Sequence, residues 1–301
     1  ICIGRSDTPW GPFEPCPHNP ILTHARQTAL QVRSTGHGDL FQAHDGTWWL
    51  VCLGTRHQPR NGAAFHHLGR ETLLAPVTWR DGWPVINGGC CLALDMEVTS
   101  LPAWQPPVTP EAVRRPFALA PGSRTLGFEW THLRNPTPGS WQLTDADVLL
   151  LHGSSSRLDD VAAPAFVGRR LDSPGFRAET RLSFASTQSG DEAGFTLLLS
   201  NTFHAEIGLR IHEGGTPYVF VRRRAGDLAA DVFLAAHPGG AVRLEISGDW
   251  DFVRFAWAAG DGPLIGVAQA ERRFFCTEVA GGWTGCVLGL YAQGQGRTCA
   301  K

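Results

Sequence analysis

The stretch 34–56, STGHGDLFQAHDGTWWLVCLGTR, decides the fold. Apolar residues alternate on both sides of HDGT, and Asp45-Gly46 is a tight-turn dipeptide, so residues 38–55 are predicted to form a β-hairpin closing on Trp48 and Trp49. A hairpin does not explain the lead-in Gly36-His37-Gly38-Asp39. Glycine on either side of a histidine signals a sharp backbone turn or a close approach by another group. His37 therefore has two readings: a turn histidine satisfied by its neighbours, or a residue of a site.

Working outward, TLLAPVTW (72–79) predicts another strand, and DGWPV a turn into a short one. Upstream, residues 1–8 read as one strand, and prolines at 9, 12, 15, 17 and 20 exclude a helix over 9–20. No window up to residue 99 has helical periodicity. So few strands leave sheet edges open, which invites pairing with something else. The proline-rich segment 100–121 is predicted to be a linker or strap. Beyond it, alternating runs such as AGFTLLLSN, AEIGLRIHE, PYVFVRRRA and VRLEISGD recur between turn residues, which argues for an antiparallel β-sandwich over 122–301. The chain reads as all-β, and the lack of helical crossovers excludes a parallel α/β fold.

Composition limits the function classes. A chain of 301 residues is long enough for two domains. A charged content of 18% and a formal net charge of −2 leave no basic surface for nucleic acid, and no apolar run is long enough to cross a membrane as a helix. Abundant Gly, Pro and Trp suit short strands and tight turns, and tryptophan faces also suit the C–H faces of sugars. The eight cysteines form no C-x-x-C pair, which argues against zinc. They are read mostly as buried free thiols, favouring a reducing, cytoplasmic compartment over secretion.

Taken with HLGRETLLAPVTWRDGWPVINGG (67–89), the opening stretch resembles the last blade of the five-bladed β-propeller in family-43 glycoside hydrolases. The branch it resembles is the β-xylosidase/α-L-arabinofuranosidase group. ICIGRSDTPWGPFEPCPHNPIL (1–22) resembles the end of the preceding blade. LGFEWTHLRNP, AFVGRRLDSPGFRAET, EAGFTLLLSN and GGWTGCVLGLYA resemble that branch's concanavalin A-like sandwich. The resemblance implies the last, incomplete blades of a propeller over 1–99, a linker over 100–121 and a sandwich over 122–301. It implies inverting hydrolysis of xylo- or arabino-oligosaccharides.

It also implies roles for particular residues. His37 would line the floor of the sugar pocket and hold a water or a calcium ion there, with no other cofactor required. Arg70 in GRET would hydrogen-bond sugar hydroxyls, and its competing reading is a local pair with Glu71. Trp283 in GGWTG would be a loop aromatic capping the pocket, where the family usually has phenylalanine; its competing reading is a sandwich-core residue. His24, His66 and His67 carry no motif and are read as loop residues. The family's catalytic aspartate, tuning aspartate and glutamate acid are expected upstream of Ile1, so no catalytic residue is assigned and the chain is expected to be inactive alone. Asp39, Glu71, Asp95 and Glu97 make no defensible carboxylate pair. Two other readings stay open: a non-catalytic carbohydrate-binding or structural module, and a pseudoenzyme. Homo-oligomers are a further expectation from the resemblance.

Overall fold

The computed structural model describes residues 1–59, 65–98, 101–102, 125–144, 148–186, 188–237, 239–294 and 299–300. The chain divides into two compact units, Ile1–Val113 and Arg114–Lys301. Apart from residues 101–102, the segment expected as a linker over 100–121 lies outside the described residues.

The first unit holds a two-stranded ribbon, β1 (Gly4–Arg5) with β2 (Glu14–Pro15), and a four-stranded antiparallel sheet. The sheet runs in sequence order: β3 (Val32–Gln42), β4 (Trp48–His57), β5 (His66–Arg80) and β6 (Trp83–Ile86). The strand expected over 1–8 shrinks to Gly4–Arg5 because side-chain and loop partners replace a ladder. The Asn19 amide accepts from the Ile3 N–H at 2.9 Å and donates to the Ile3 carbonyl at 2.8 Å.

The predicted hairpin is present, with its turn at 43–47. Gly46 takes the left-handed conformation (φ 84°), and the Asp45 carboxylate accepts from Thr47 N–H and Oγ1 at 3.0 and 2.7 Å. The second turn, Asp81-Gly82, has positive φ at both residues, the geometry that joins right-twisted strands.

One face of the sheet carries Val32, Leu50, Cys52, Ala75, Val77 and Ile86, closed by Leu22 and Leu92 from flanking loops. Each fully buried side chain of this size contributes about 1.5–3 kcal/mol. His24 ties those loops to the sheet: Leu92 N–H donates to its Nε2 at 2.9 Å, so Nδ1 carries the proton given to the Val32 carbonyl at 2.8 Å. It lies in a loop, as expected, but is buried. His66 and His67, expected in a loop, are buried on β5.

The second unit contains β7 (Trp130–Thr131), β8 (Trp141–Leu143), β9 (Leu149–His152), β10 (Ala165–Arg170), β11 (Phe176–Leu182), β12 (Glu192–Ser200) and β13 (Phe203–Ile211). These are followed by β14 (Pro217–Ala225), β15 (Leu228–Ala236), β16 (Val242–Gly248), β17 (Phe252–Ala259), β18 (Ile265–Glu271), β19 (Val287–Gln293) and β20 (Cys299–Ala300). A seven-stranded sheet in the order β15-β14-β13-β12-β19-β10-β7 packs on a four-stranded sheet, β11-β16-β17-β18, and a three-stranded ribbon β20-β9-β8 stands beside them. Period-two alternation builds the interior. Ala205, Ile207, Val219 and Val221 from the large sheet, and Val242, Leu244, Ile246, Val253 and Phe255 from the small one, are wholly buried.

The opposite face of the large sheet is different. Gly168 and Gly289 are cross-strand partners, as are Gly194 and Gly208, and they open a trough in which the Phe166 and Tyr291 rings lie against bare backbone. A methyl group on Gly289 would overlap the Phe166 ring.

Candidate functional site

The Gly-His-Gly-Asp lead-in belongs to the strand, as two successive bulges. Pairing of β3 with β4 steps from Arg33↔Thr55 to Gly36↔Leu53 and then to Asp39↔Val51, so each step fits one extra β3 residue. Each bulge has one residue in the left-handed region, Ser34 and His37, both at φ 52°. Histidine is among the side chains that tolerate this conformation. The two glycines do different work. A Cβ on Gly38 would press on Ile1 Cδ1 at 2.9 Å and Leu50 Cδ1 at 3.0 Å, whereas one on Gly36 would meet nothing. Gly38 lets the strand close on the core, and the bulge turns His37 outwards, exposed. No hydrogen bond joins its ring to another described residue, so a turn histidine held by its neighbours is not what the structure contains.

Arg70 is exposed on β5, paired with Thr55 of β4. Gly36 pairs with Leu53, two residues back along β4 from Thr55, so His37 and Arg70 stand a few residue positions apart on the two strands flanking β4. Glu71 is engaged elsewhere. Arg56 grips it bidentately, Nη2–Oε1 at 2.6 Å and Nε–Oε2 at 3.1 Å, so the local Arg70–Glu71 pair weighed from sequence gives way to a cross-strand pair.

Trp283 belongs to the second unit, in the loop between a helical turn (Thr277–Ala280) and β19. It follows two glycines in the left-handed region, Gly281 at φ 77° and Gly282 at φ 80°. At 69% exposure it is not the core tryptophan of the competing reading.

Calcium takes six to eight oxygen ligands. Among the described residues, no trio of potential ligand groups includes His37, and its imidazole offers nitrogen. Among the described residues, the His, Cys, Asp and Glu side chains gather no calcium site around His37. Of its cysteines, Cys16, Cys52, Cys276 and Cys286 are buried, and burial pushes the Cys276 and Cys286 thiols up to about 12, which makes them inert.

Sequence reading missed one polar cluster. On the trough face of the seven-stranded sheet, Arg222 bonds both oxygens of Glu192 at 3.0 Å and reaches Glu206 at 2.6 Å. Arg210 donates to Glu192 at 2.6 Å and to Asp231 at 2.8 Å. Tyr291 Oη donates to Glu206 at 2.7 Å, and Gln293 Nε2 to Glu192 at 2.7 Å. Burial is the largest influence on Glu192 and raises its carboxyl above the usual range, against the pull of Arg222. For Arg222 burial alone would lower the guanidinium, but Glu206 and Glu192 outweigh it and keep the group charged. The available signal was charge at period two, Glu206 and Arg210 on β13, within strands otherwise reading as fully buried.

Comparison with known proteins places these units. Residues 1–84 match glycosyl hydrolases family 43, and residues 122–301 match the β-xylosidase C-terminal concanavalin A-like domain. The non-reducing end alpha-L-arabinofuranosidase of Bacteroides ovatus is 34% identical over 300 residues, covering 98% of this chain and 54% of that protein. A xylosidase/arabinosidase of Butyrivibrio fibrisolvens is 28% identical over 312 residues, covering 99% of this chain and 56% of its own length. Among solved structures, Bacteroides ovatus Xyloglucan PUL GH43B superposes with TM-score 0.88 at 33% identity, covering 99% of this chain and 58% of that one. The chain therefore belongs to glycoside hydrolase family 43, its first unit being part of the family's β-propeller and its second the C-terminal β-sandwich. It spans little more than half the length of these relatives.

Proposed function

We propose that this chain is the C-terminal part of a hydrolase that releases xylose or arabinose from xylo- or arabino-oligosaccharides with inversion. His37 and Arg70 form one wall of its sugar site. The observation that carries this reading is the double bulge. It spends two left-handed residues to present an exposed imidazole that bonds no described neighbour, on the strand next but one to an exposed arginine. Strained backbone of this kind concentrates at functional sites.

The acid and base come from outside these 301 residues. Inversion needs two carboxyls facing each other across a glycosidic bond and a water. Within the first unit Glu71 is neutralised by Arg56, and Asp39 is exposed on the bulged strand.

The test is turnover of aryl β-D-xyloside and aryl α-L-arabinofuranoside by the purified chain, with a thermal melt alongside. A cooperative melt without turnover is the expected result. Turnover that survives both His37→Ala and Arg70→Ala would put the chemistry elsewhere in the chain and refute the placement.

A further inference from the structure

The charged cluster on the sandwich is the floor of an open cleft of about 400 Å³, within the size range of small-molecule sites. Glu192, Arg210 and Arg222 form the base, with Arg157, Ala229, Ala230 and Asp231 at the rim. A purely structural account has to explain why ion pairs occupy this face. Such pairs are often no more stabilising than apolar residues of the same size, and the other face of the same strands is apolar and wholly buried.

The hydrogen-bonding capacity of the cluster is unevenly spent. Glu192 accepts four hydrogen bonds, two on each oxygen, and is saturated. Arg222 is likewise committed to Glu192 and Glu206. Arg210 uses Nε and Nη1 only, leaving Nη2 without a described acceptor. The Arg157 guanidinium bonds no described residue; only its backbone N–H and carbonyl are engaged, both with Asp160. Asp231 offers Oδ1, and beside Glu192 the buried Gln293 Oε1 lacks a described partner. The cleft thus holds more uncommitted donors than acceptors, those of Arg210 held in place by its ion pairs.

Its charge is balanced. Three guanidinia face three carboxylates, counting Glu206 behind the floor, so nothing in the cluster demands an anion. Donors on one ion-paired and one uncommitted guanidinium, a few free acceptors and no net charge suit a neutral ligand dense in hydroxyl and ether oxygens. The small Ala229 and Ala230 leave room for ring C–H groups.

We infer that this cleft is a second, non-catalytic saccharide site, holding a neutral pentose oligosaccharide through Arg157, the Nη2 of Arg210 and Asp231. The choice of a pentose oligosaccharide rests on the hydrolase reading above; the cleft's preference for a neutral polyol does not.

The test is a titration of the 301-residue chain with xylotriose, followed by NMR, in parallel for wild type, Arg157→Ala, Asp231→Asn and His37→Ala, with glucuronate as an anionic probe. Both rim positions are solvent-facing, so these variants should melt as the wild type does. The expected result is saturable xylotriose shifts of sandwich resonances that weaken at least about tenfold in Arg157→Ala and in Asp231→Asn and persist in His37→Ala, whose effect is confined to resonances of the first unit. Absence of xylotriose binding by the wild type overturns the inference, as does binding indifferent to both rim variants. Loss in His37→Ala alone overturns it while leaving the hydrolase reading standing. Saturable binding of glucuronate but not xylotriose overturns the assignment of a neutral ligand.

Discussion

Replacing His37 by glycine separates what its backbone does from what its ring does. At φ 52° a residue with a Cβ is in a conformation that costs of order 1 kcal/mol. Glycine removes that strain but loses more backbone entropy on folding, about 0.5–1 kcal/mol. The two effects nearly cancel, so His37→Gly is expected to leave stability within about 0.5 kcal/mol of the parent. His37→Ala keeps the strain and lacks the ring. With no ring partner to lose, it should also lie within about 0.5 kcal/mol of the parent, a few degrees at most in melting temperature for a unit of this size. Thermal melts of the three chains, read for how closely their transitions coincide, are the assay. A loss of about 2 kcal/mol or more in His37→Gly exceeds what backbone terms provide and would mean that the ring has a structural partner. That result would refute the reasoning that places His37 at a site.

Other consequences can be measured on the same chain. Gly289→Ala must displace the Phe166 ring and should destabilise the sandwich by about 1–3 kcal/mol by urea denaturation, with partial rescue by Phe166→Leu. His204, wholly buried, has its pKa lowered to about 4, chiefly by burial, against the pull of Asp159 at 3.0 Å and with help from Arg222 and Arg224. The unfolded chain takes up that proton near pH 6.5, so the stability is complete above that pH, drains as pH falls towards 4 and drains no further below it. The ceiling is about 3 kcal/mol, and a His204→Gln chain should lack this part of the acid limb. Arg222→Ala strands Glu192 and Glu206 and should cost about 3–5 kcal/mol, shown by a lower urea midpoint.

Much of the fold was readable because burial imposes period two. The strands at 193–201, 205–213 and 217–225 alternate between the sandwich interior and the trough face, and the prediction found them. The edge strands β15 (LAADVFLAA) and β18 (IGVAQAE) were not singled out, because an edge strand with solvent on its side faces little pressure to alternate. The alternation that predicts a hairpin over 38–55 does not reach residues 32–37, since a bulge breaks the period that marks a strand. The candidate site was legible only in part. Gly-His-Gly identified an unusual backbone, but which glycine is crowded depends on Ile1 and Leu50, and Glu71's partner lies fifteen residues away on another strand. The cleft on the sandwich needs four strands in register before its charges meet, so no local stretch announces it.

The central claim, that His37 and Arg70 form a wall of a pentosidase site, is tested most directly by turnover of a hybrid enzyme. In it, this chain replaces the matching region of the Bacteroides ovatus arabinofuranosidase. The account predicts hydrolysis of an aryl α-L-arabinofuranoside, with kcat/KM falling by about 100-fold or more, roughly 2.7 kcal/mol, on Arg70→Ala and falling also on His37→Ala. A hybrid that melts cooperatively yet is inactive, or whose turnover ignores both substitutions, would contradict it.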